Sequence, residues 1–214
     1  MKTLGNTIIF GDSYSIYKGW LNEGNPVYSY YGDIDAEKEG GLTKPEQTWW
    51  LSLINETGST LVMNDSWSGS TVSYSHYGTY DPPASFVDRA KKYLQKGLCN
   101  GKKIDTVLIF GGTNDNWGDS PVGVPQYENW TNEDLKAFLP ALACMISYIK
   151  KDSPDARIIN ITNTELKPEI TEGMAEVCKT LGVTNVVLHD VGKNNGHPNA
   201  DGMQAIKNQI IEAL

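Results

Sequence analysis

Apolar positions along the chain follow two rhythms. Five short runs, Thr7–Phe10, Thr60–Met63, Thr106–Phe110, Arg157–Ile161 and Asn185–Leu188, are rich in apolar and β-branched residues. Runs of this length predict strands buried on both faces, as in a parallel sheet. Between them, apolar residues recur at helical spacing. Pro45–Ile54 carries Trp49, Trp50, Leu53 and Ile54, and Ser85–Leu98 carries Phe86, Ala90, Tyr93, Leu94 and Leu98 on one stripe. Thr131 is expected to cap a helix running to Lys150 that Pro140 kinks or splits. Pro168 suits a first helical turn, Gly182 suits the end of Glu169–Leu181, and a last helix is expected from Ala200 towards Leu214.

Strands alternating with helices predict an α/β domain, because right-handed crossovers place helices on both faces of a parallel sheet. The expectation is a three-layer αβα arrangement around a five-stranded, mostly parallel sheet. No linker or repeat divides the chain, so residues 1–214 read as one domain. The connections after the first three strands are long and rich in Tyr, Gly, Asn and Ser, whereas those at the opposite strand ends are short. Long ordered loops are usually functional, and open α/β sheets bind ligands beyond the carboxyl ends of their strands. The site is expected there.

Charge narrows the partners. With a net charge of -8 and a pI near 4.9, the chain lacks the clustered Lys and Arg that a nucleic-acid surface needs. The partner is therefore expected to be a small molecule, with the oligomeric state left open. The three cysteines, Cys99, Cys144 and Cys178, are far apart and form neither a Cys-x-x-Cys pair nor a disulfide framework, so buried free thiols are expected. No apolar run is long enough to span a membrane. Met1 to Asn6 lead directly into the first strand without a leader-like pattern, which gives a cytoplasmic expectation. No metal-ligand spacing and no phosphate-binding glycine loop occurs, so no metal and no cofactor is implied.

Gly11-Asp12-Ser13-Tyr14-Ser15 closes the first strand. Alone, it fits two readings: a β-turn using Asp and Ser as local acceptors, or a nucleophilic serine exposed on a tight turn. Three further blocks follow in order: Asn64-Asp65-Ser66-Trp67-Ser68-Gly69, Gly112-Thr113-Asn114-Asp115 and His197-Pro198-Asn199. Together the four resemble the SGNH (GDSL-like) hydrolase family, and the resemblance runs from Thr7 to about Gly202. It implies the flavodoxin-like SGNH hydrolase fold and an ester hydrolase, with Ser13 as nucleophile and His197 as base. It also implies an oxyanion hole made of the Ser13 N–H, the Gly69 N–H and the Asn114 amide. Acyl transfer needs such donors where negative charge develops.

The chain departs from the family at Asn194, where an aspartate three residues before the histidine would orient the ring. Asp190, at the end of the fifth strand, is the expected substitute, with a backbone carbonyl as the other candidate. His189 is a reserve base, and His76 is expected on the rim.

The long loops carry Tyr14, Tyr17, Trp20, Tyr28, Tyr30, Tyr31, Trp67, Tyr74, Tyr77, Tyr80, Trp117, Tyr127 and Trp130 but few Leu or Ile. Flat sugar faces stack on such rings, whereas a long acyl chain needs an aliphatic groove. The expectation is a short-acyl ester, such as an acetylated carbohydrate, with Tyr14, Trp67 and Trp117 in contact with it. A lysophospholipase or thioesterase, and a carbohydrate-binding protein on the same scaffold, are the alternatives.

Overall fold

The structure is a computed structural model and describes residues 3–27, 31–32 and 41–214. Five strands form the central sheet: β1 (Asn6–Gly11), β2 (Thr60–Ser66), β3 (Thr106–Phe110), β4 (Arg157–Thr162) and β5 (Thr184–Val187). All neighbours are parallel, in the order β2-β1-β3-β4-β5. The helices are α1 (Trp49–Glu56), α2 (Phe86–Tyr93), α3 (Thr113–Trp117), α4 (Phe138–Asp152), α5 (Pro168–Leu181) and α6 (Ala200–Glu212).

Alternation along the strands divides the core into two layers. On β3, Val107 and Ile109 pack with Phe86, Leu142 and Val177 of α2, α4 and α5. Leu108 and Phe110 face the other way, towards Trp49, Met203 and Ile206 of α1 and α6. Period-two side chains on a sheet covered on both sides produce this split.

Each expected strand is present to within three residues at either end. Two expected helices differ. The stripe from Ser85 ends at Tyr93, and Leu98 lies instead in a small antiparallel pair, Leu98–Cys99 with Lys102–Lys103, where it is exposed. Gly97 and the left-handed Lys96 turn the chain there. Thr131 does not cap the long helix; its hydroxyl shares a turn with the Asp134 carboxylate at 2.7 Å. The helix begins at Phe138, so Pro140 falls in its first turn, where no intrahelical N–H bond is lost, and no kink follows. All three cysteines are buried free thiols.

The strand order reverses between β1 and β3. Gly11 of β1 is in register with both Ser66 of β2 and Phe110 of β3. Residues just beyond these positions therefore emerge side by side at one edge, which is the switch point where open α/β sheets form clefts.

Beneath that edge lies Arg89, a buried arginine on the inward face of α2. Its Nε donates to the Ala84 carbonyl at 3.2 Å, and Nη1 donates to the Asp65 carbonyl and to Asp65 Oδ2 at 2.8 Å. Nη2 donates to the Gly11 carbonyl at 3.3 Å and to Ser70 Oγ at 3.0 Å. A guanidinium has five N–H donors, and five acceptors are present. Asp65 also accepts from Asn22 Nδ2 at 2.8 Å and Asn25 Nδ2 at 3.1 Å, which ties in the loop after β1.

Arg89→Met removes the cation and leaves the Asp65 carboxylate buried. The expected cost is about 3–5 kcal/mol, visible in a thermal melt as a fall of roughly 10 °C. Adding Asp65→Leu recovers part of that loss. A melt unchanged by Arg89→Met would show that the pair contributes no stability.

Candidate active site

After Gly11 the chain turns at once. Asp12 caps a 3-10 turn, Ser13–Ser15, by accepting the Tyr14 N–H at 2.9 Å. Glycine is required at position 11 by crowding: a Cβ would lie 2.5 Å from Ser66 Oγ and 2.7 Å from Ser15 Oγ. Ser15 is itself held, its hydroxyl accepting from Trp49 Nε1 at 3.2 Å and its carbonyl from Asn64 Nδ2 at 2.9 Å. Ser13 is thus presented on a turn fixed by β2 and α1. It lies on the lining of a cavity of about 600 Å³.

His197 reaches Ser13 from a separate element. Lys193–Asn194 and His197–Pro198 form an antiparallel hairpin whose turn residues, Asn195 and Gly196, both have positive φ. This suits a two-residue I′ turn, which favours Asn-Gly. Nε2 of His197 lies 3.0 Å from Ser13 Oγ, and Nδ1 lies 3.3 Å from the Asn195 carbonyl. A carbonyl only accepts, so Nδ1 carries the proton and Nε2 offers its lone pair to the hydroxyl. Burial lowers the imidazole pKa below its ordinary value; the Asn195 carbonyl opposes this and the nearby Lys193 charge adds to it.

The expected partner Asp190 is not at the ring. It has a positive φ at the end of β5, and its exposed carboxylate pairs with His189 Nδ1 at 2.9 Å. The left-handed backbone directs it to solvent. His189 is likewise on the surface, away from Ser13. Asn194 sits directly across the hairpin from His197.

Tyr14 also departs from expectation. It is fully buried and does not line the cavity. As the middle residue of the 3-10 turn it points inward, edge-on to Phe110 with centroids 5.8 Å apart. Its hydroxyl donates to the Gly196 carbonyl, and its ring lies 5.3 Å from that of His197. It holds the histidine hairpin rather than a ligand. Trp67 and Trp117 do line the cavity, and the Trp117 ring lies 6.0 Å from that of His197. Tyr28 and Tyr30 lie outside the described residues.

Gly69 and Asn114 border the same cavity. Gly69 has φ +80°, a conformation that favours glycine. Asn114 follows the left-handed Gly112 at the start of α3 and is buried. Its Nδ2 donates to the Ser70 carbonyl at 2.9 Å, and its Oδ1 accepts from the Tyr77 hydroxyl at 2.8 Å. Next to it, Asp115 accepts from the Val72 N–H at 2.8 Å, the Ser73 N–H at 3.1 Å and the Ser73 hydroxyl at 2.7 Å, fixing the loop after Gly69.

Two buried carboxyls, Asp12 and Asp115, flank Ser13 and Asn114 in sequence. Burial raises the pKa of Asp12 to about 7, with the Tyr14 N–H working against the shift and the charge of Asp115 adding to it. Burial also raises that of Asp115, against its hydrogen bonds to Ser73 and Val72.

The sequence reading passed over Arg89 and the roles of Tyr14 and Tyr77. Arg89 left one signal: it is one of only two arginines and falls on the apolar stripe of α2. Tyr77 left none beyond its place in an aromatic loop.

Comparison with known proteins agrees with this architecture. The family of GDSL-like lipases/acylhydrolases matches residues 6–214. No curated protein is a match. A protein assigned as a GDSL-like lipase from Bacteroides uniformis is 40% identical, with a TM-score of 0.89 over 98% of this chain and 95% of its own. A second, from Bacteroides ovatus, is 34% identical, with a TM-score of 0.86 over 97% of each chain. A family two carbohydrate esterase from Cellvibrio japonicus, 14% identical, shares the fold alone, with a TM-score of 0.62 over 100% of this chain and 62% of its own. By its sequence blocks, its sheet order and these matches, the chain belongs to the GDSL-like lipase/acylhydrolase family and is a hydrolase acting on esters.

Proposed function

We propose that the chain hydrolyses carboxylic esters of short acyl groups, with an acylated carbohydrate as the substrate class, through an acyl-enzyme on Ser13. One observation carries this reading. The Ser13–His197 pair, 3.0 Å apart, opens into a cavity whose other lining residues are Pro26, Trp67, Ser68, Gly69, His76, Tyr77, Asn114 and Trp117. Among the described residues no Leu, Ile, Val or Met lines it, so a long acyl chain finds no aliphatic wall there, while rings and polar edges suit a sugar.

In this mechanism, Nε2 of His197 takes the Ser13 proton as Oγ bonds to the ester carbonyl carbon. The carbonyl π electrons move onto oxygen, where the Ser13 N–H, the Gly69 N–H and the Asn114 amide stabilise the charge. Collapse breaks the C–O bond to the alcohol, which leaves with the proton from His197. Water then repeats the sequence, with His197 again as base, and releases the acid and free Ser13. Asp12 and Asp115 take no part in proton transfer; they hold the turn and the loop.

Hydrolysis of p-nitrophenyl acetate tests the assignment. Ser13→Ala and His197→Ala are each expected to lower kcat by about 10³-fold or more. Asp190→Asn leaves the rate unchanged, since its carboxylate faces His189. Across p-nitrophenyl esters, kcat/KM falls from acetyl to octanoyl. Residual full activity in Ser13→Ala, or a rate that climbs with chain length, would refute this reading.

The pH profile follows from the same geometry. The base must be neutral, and burial lowers the His197 pKa. The limb of kcat/KM should therefore rise through an apparent pKa below the ordinary 6.5 and be flat above it. Asp12→Asn, which keeps the cap on Tyr14, leaves that limb in place. A limb that disappears in Asp12→Asn would assign it to Asp12 instead.

A further inference from the structure

Tyr77 occupies a position that tyrosine normally avoids. Ser75–His76 and Thr79–Tyr80 form a minimal hairpin, and its turn residues, Tyr77 and Gly78, have φ +48° and +80°. The first place in such a turn favours Asn, Asp or Gly, because a Cβ crowds the backbone in the left-handed region. A disfavoured residue held in a turn beside a cleft points to a function for its side chain.

The side chain crosses the cavity wall to α3. Its hydroxyl lies 2.8 Å from Asn114 Oδ1, and its ring packs over Gly118, where a Cβ would lie 3.2 Å from Tyr77 Cδ1. The direction of this hydrogen bond is fixed by chemistry. The Ser70 carbonyl only accepts, so Asn114 must present Nδ2 to it, at 2.9 Å. Oδ1 then faces Tyr77, and an amide oxygen only accepts, so the tyrosine donates. A flipped amide would set its oxygen against the Ser70 carbonyl. One amide hydrogen is committed to Ser70, and the second remains for the cavity that Asn114 lines.

We infer that Tyr77 is a positioning residue for the oxyanion donor, pinning the Asn114 amide and strengthening its second N–H. This rests on the esterase reading above. Donation into the amide oxygen draws density from nitrogen, so the N–H becomes a better donor, as in other polarised chains of hydrogen bonds. Fixing the amide beforehand also removes reorganisation when the oxyanion forms. Tyr77 itself need not touch the oxyanion.

The test is a double-mutant cycle read by p-nitrophenyl acetate hydrolysis, with Tyr77→Phe, Asn114→Ala and the pair. Tyr77→Phe removes one oxygen and is expected to lower kcat about tenfold, with KM changed less than about twofold, as for a group that acts only in the transition state. Asn114→Ala lowers kcat by about 10²–10³. The double variant is no slower than Asn114→Ala alone, because Tyr77 acts through that amide. Tyr77→Asn, which suits the left-handed turn, keeps or raises Tm while lowering kcat equally, separating the hairpin from its hydroxyl.

Losses that multiply in the double variant, or a kcat unchanged by Tyr77→Phe, would overturn the inference. Failure of the esterase reading has a different signature: the native chain and Ser13→Ala then hydrolyse at the same rate. A readout independent of turnover covers that case. The Asn114 side-chain amide resonances, identified by their loss in Asn114→Ala, shift and exchange faster in Tyr77→Phe, and unchanged resonances would also overturn the inference.

Discussion

The site depends on one buried guanidinium. Three loops emerge from the sheet edge, and nothing in a parallel sheet holds loops to each other, since its hydrogen bonds end with the strands. Arg89 links the first two, and Asp115 joins the third to the second through Val72 and Ser73. Arg89 binds the last carbonyl of β1, the carbonyl and carboxylate of Asp65 on β2, and the Ser70 hydroxyl in the following loop. Its charge is balanced by Asp65, and its guanidinium carbon lies over the Phe86 ring, 4.6 Å from the centroid. Lysine could not replace it, because three donors on a point charge cannot serve five fixed acceptors. Burying such a pair brings little net stability against an apolar alternative, so its value lies in geometry.

That geometry has an electrostatic consequence for the carboxyls near Ser13. Asp65 is paired directly with Arg89, whereas among the described residues Asp12 and Asp115 form no ion pair, and the Arg89 charge only tempers the shift at Asp12. Burial therefore pushes both pKa values up, and at Asp12 the mutual repulsion adds to this. Asp12 keeps one oxygen on the Tyr14 N–H while the other is buried without a partner. A carboxyl near neutrality is the less costly form for that unpartnered oxygen. Asp115 differs, since the Val72 and Ser73 N–H groups and the Ser73 hydroxyl all donate to it and work against the effect of burial.

Much of this was legible in the sequence because it is local. Continuous apolar runs marked the five strands, and the four short blocks fell at strand ends or beside a helix start, where turn chemistry leaves a signature. What was not legible is tertiary. Asp190 lies close in sequence to His197, but its side-chain direction depends on one φ angle at the end of β5. Tyr14 looked like a loop aromatic, yet the 3-10 turn set by Asp12 rotates it inward under the hairpin. Pro140 looked like a breaker until the helix start moved to Phe138. In each case a shift of a few residues or one backbone rotation reversed the role, and composition carries no record of either.

The cavity is closed by two hairpins that solve the same problem in the same way. The sheet can place Ser13 and Asn114, because both follow strand ends in register. It cannot place His197, which belongs to the segment after β5, separated from β1 by two intervening strands. The Asn195-Gly196 turn brings it back, tied down by Tyr14 through Gly196 and by the Tyr31 hydroxyl on the Pro198 carbonyl at 2.9 Å. The Tyr77-Gly78 turn brings a donor to Asn114 from the opposite side. Both hairpins are only two residue pairs long, too short to be stable alone, so their order comes from these side-chain ties. The scaffold and the aim of the site's side chains are therefore held by different parts of the chain. Changes around Arg89 act on the scaffold, while changes in the two turns act on where the imidazole and the amide point.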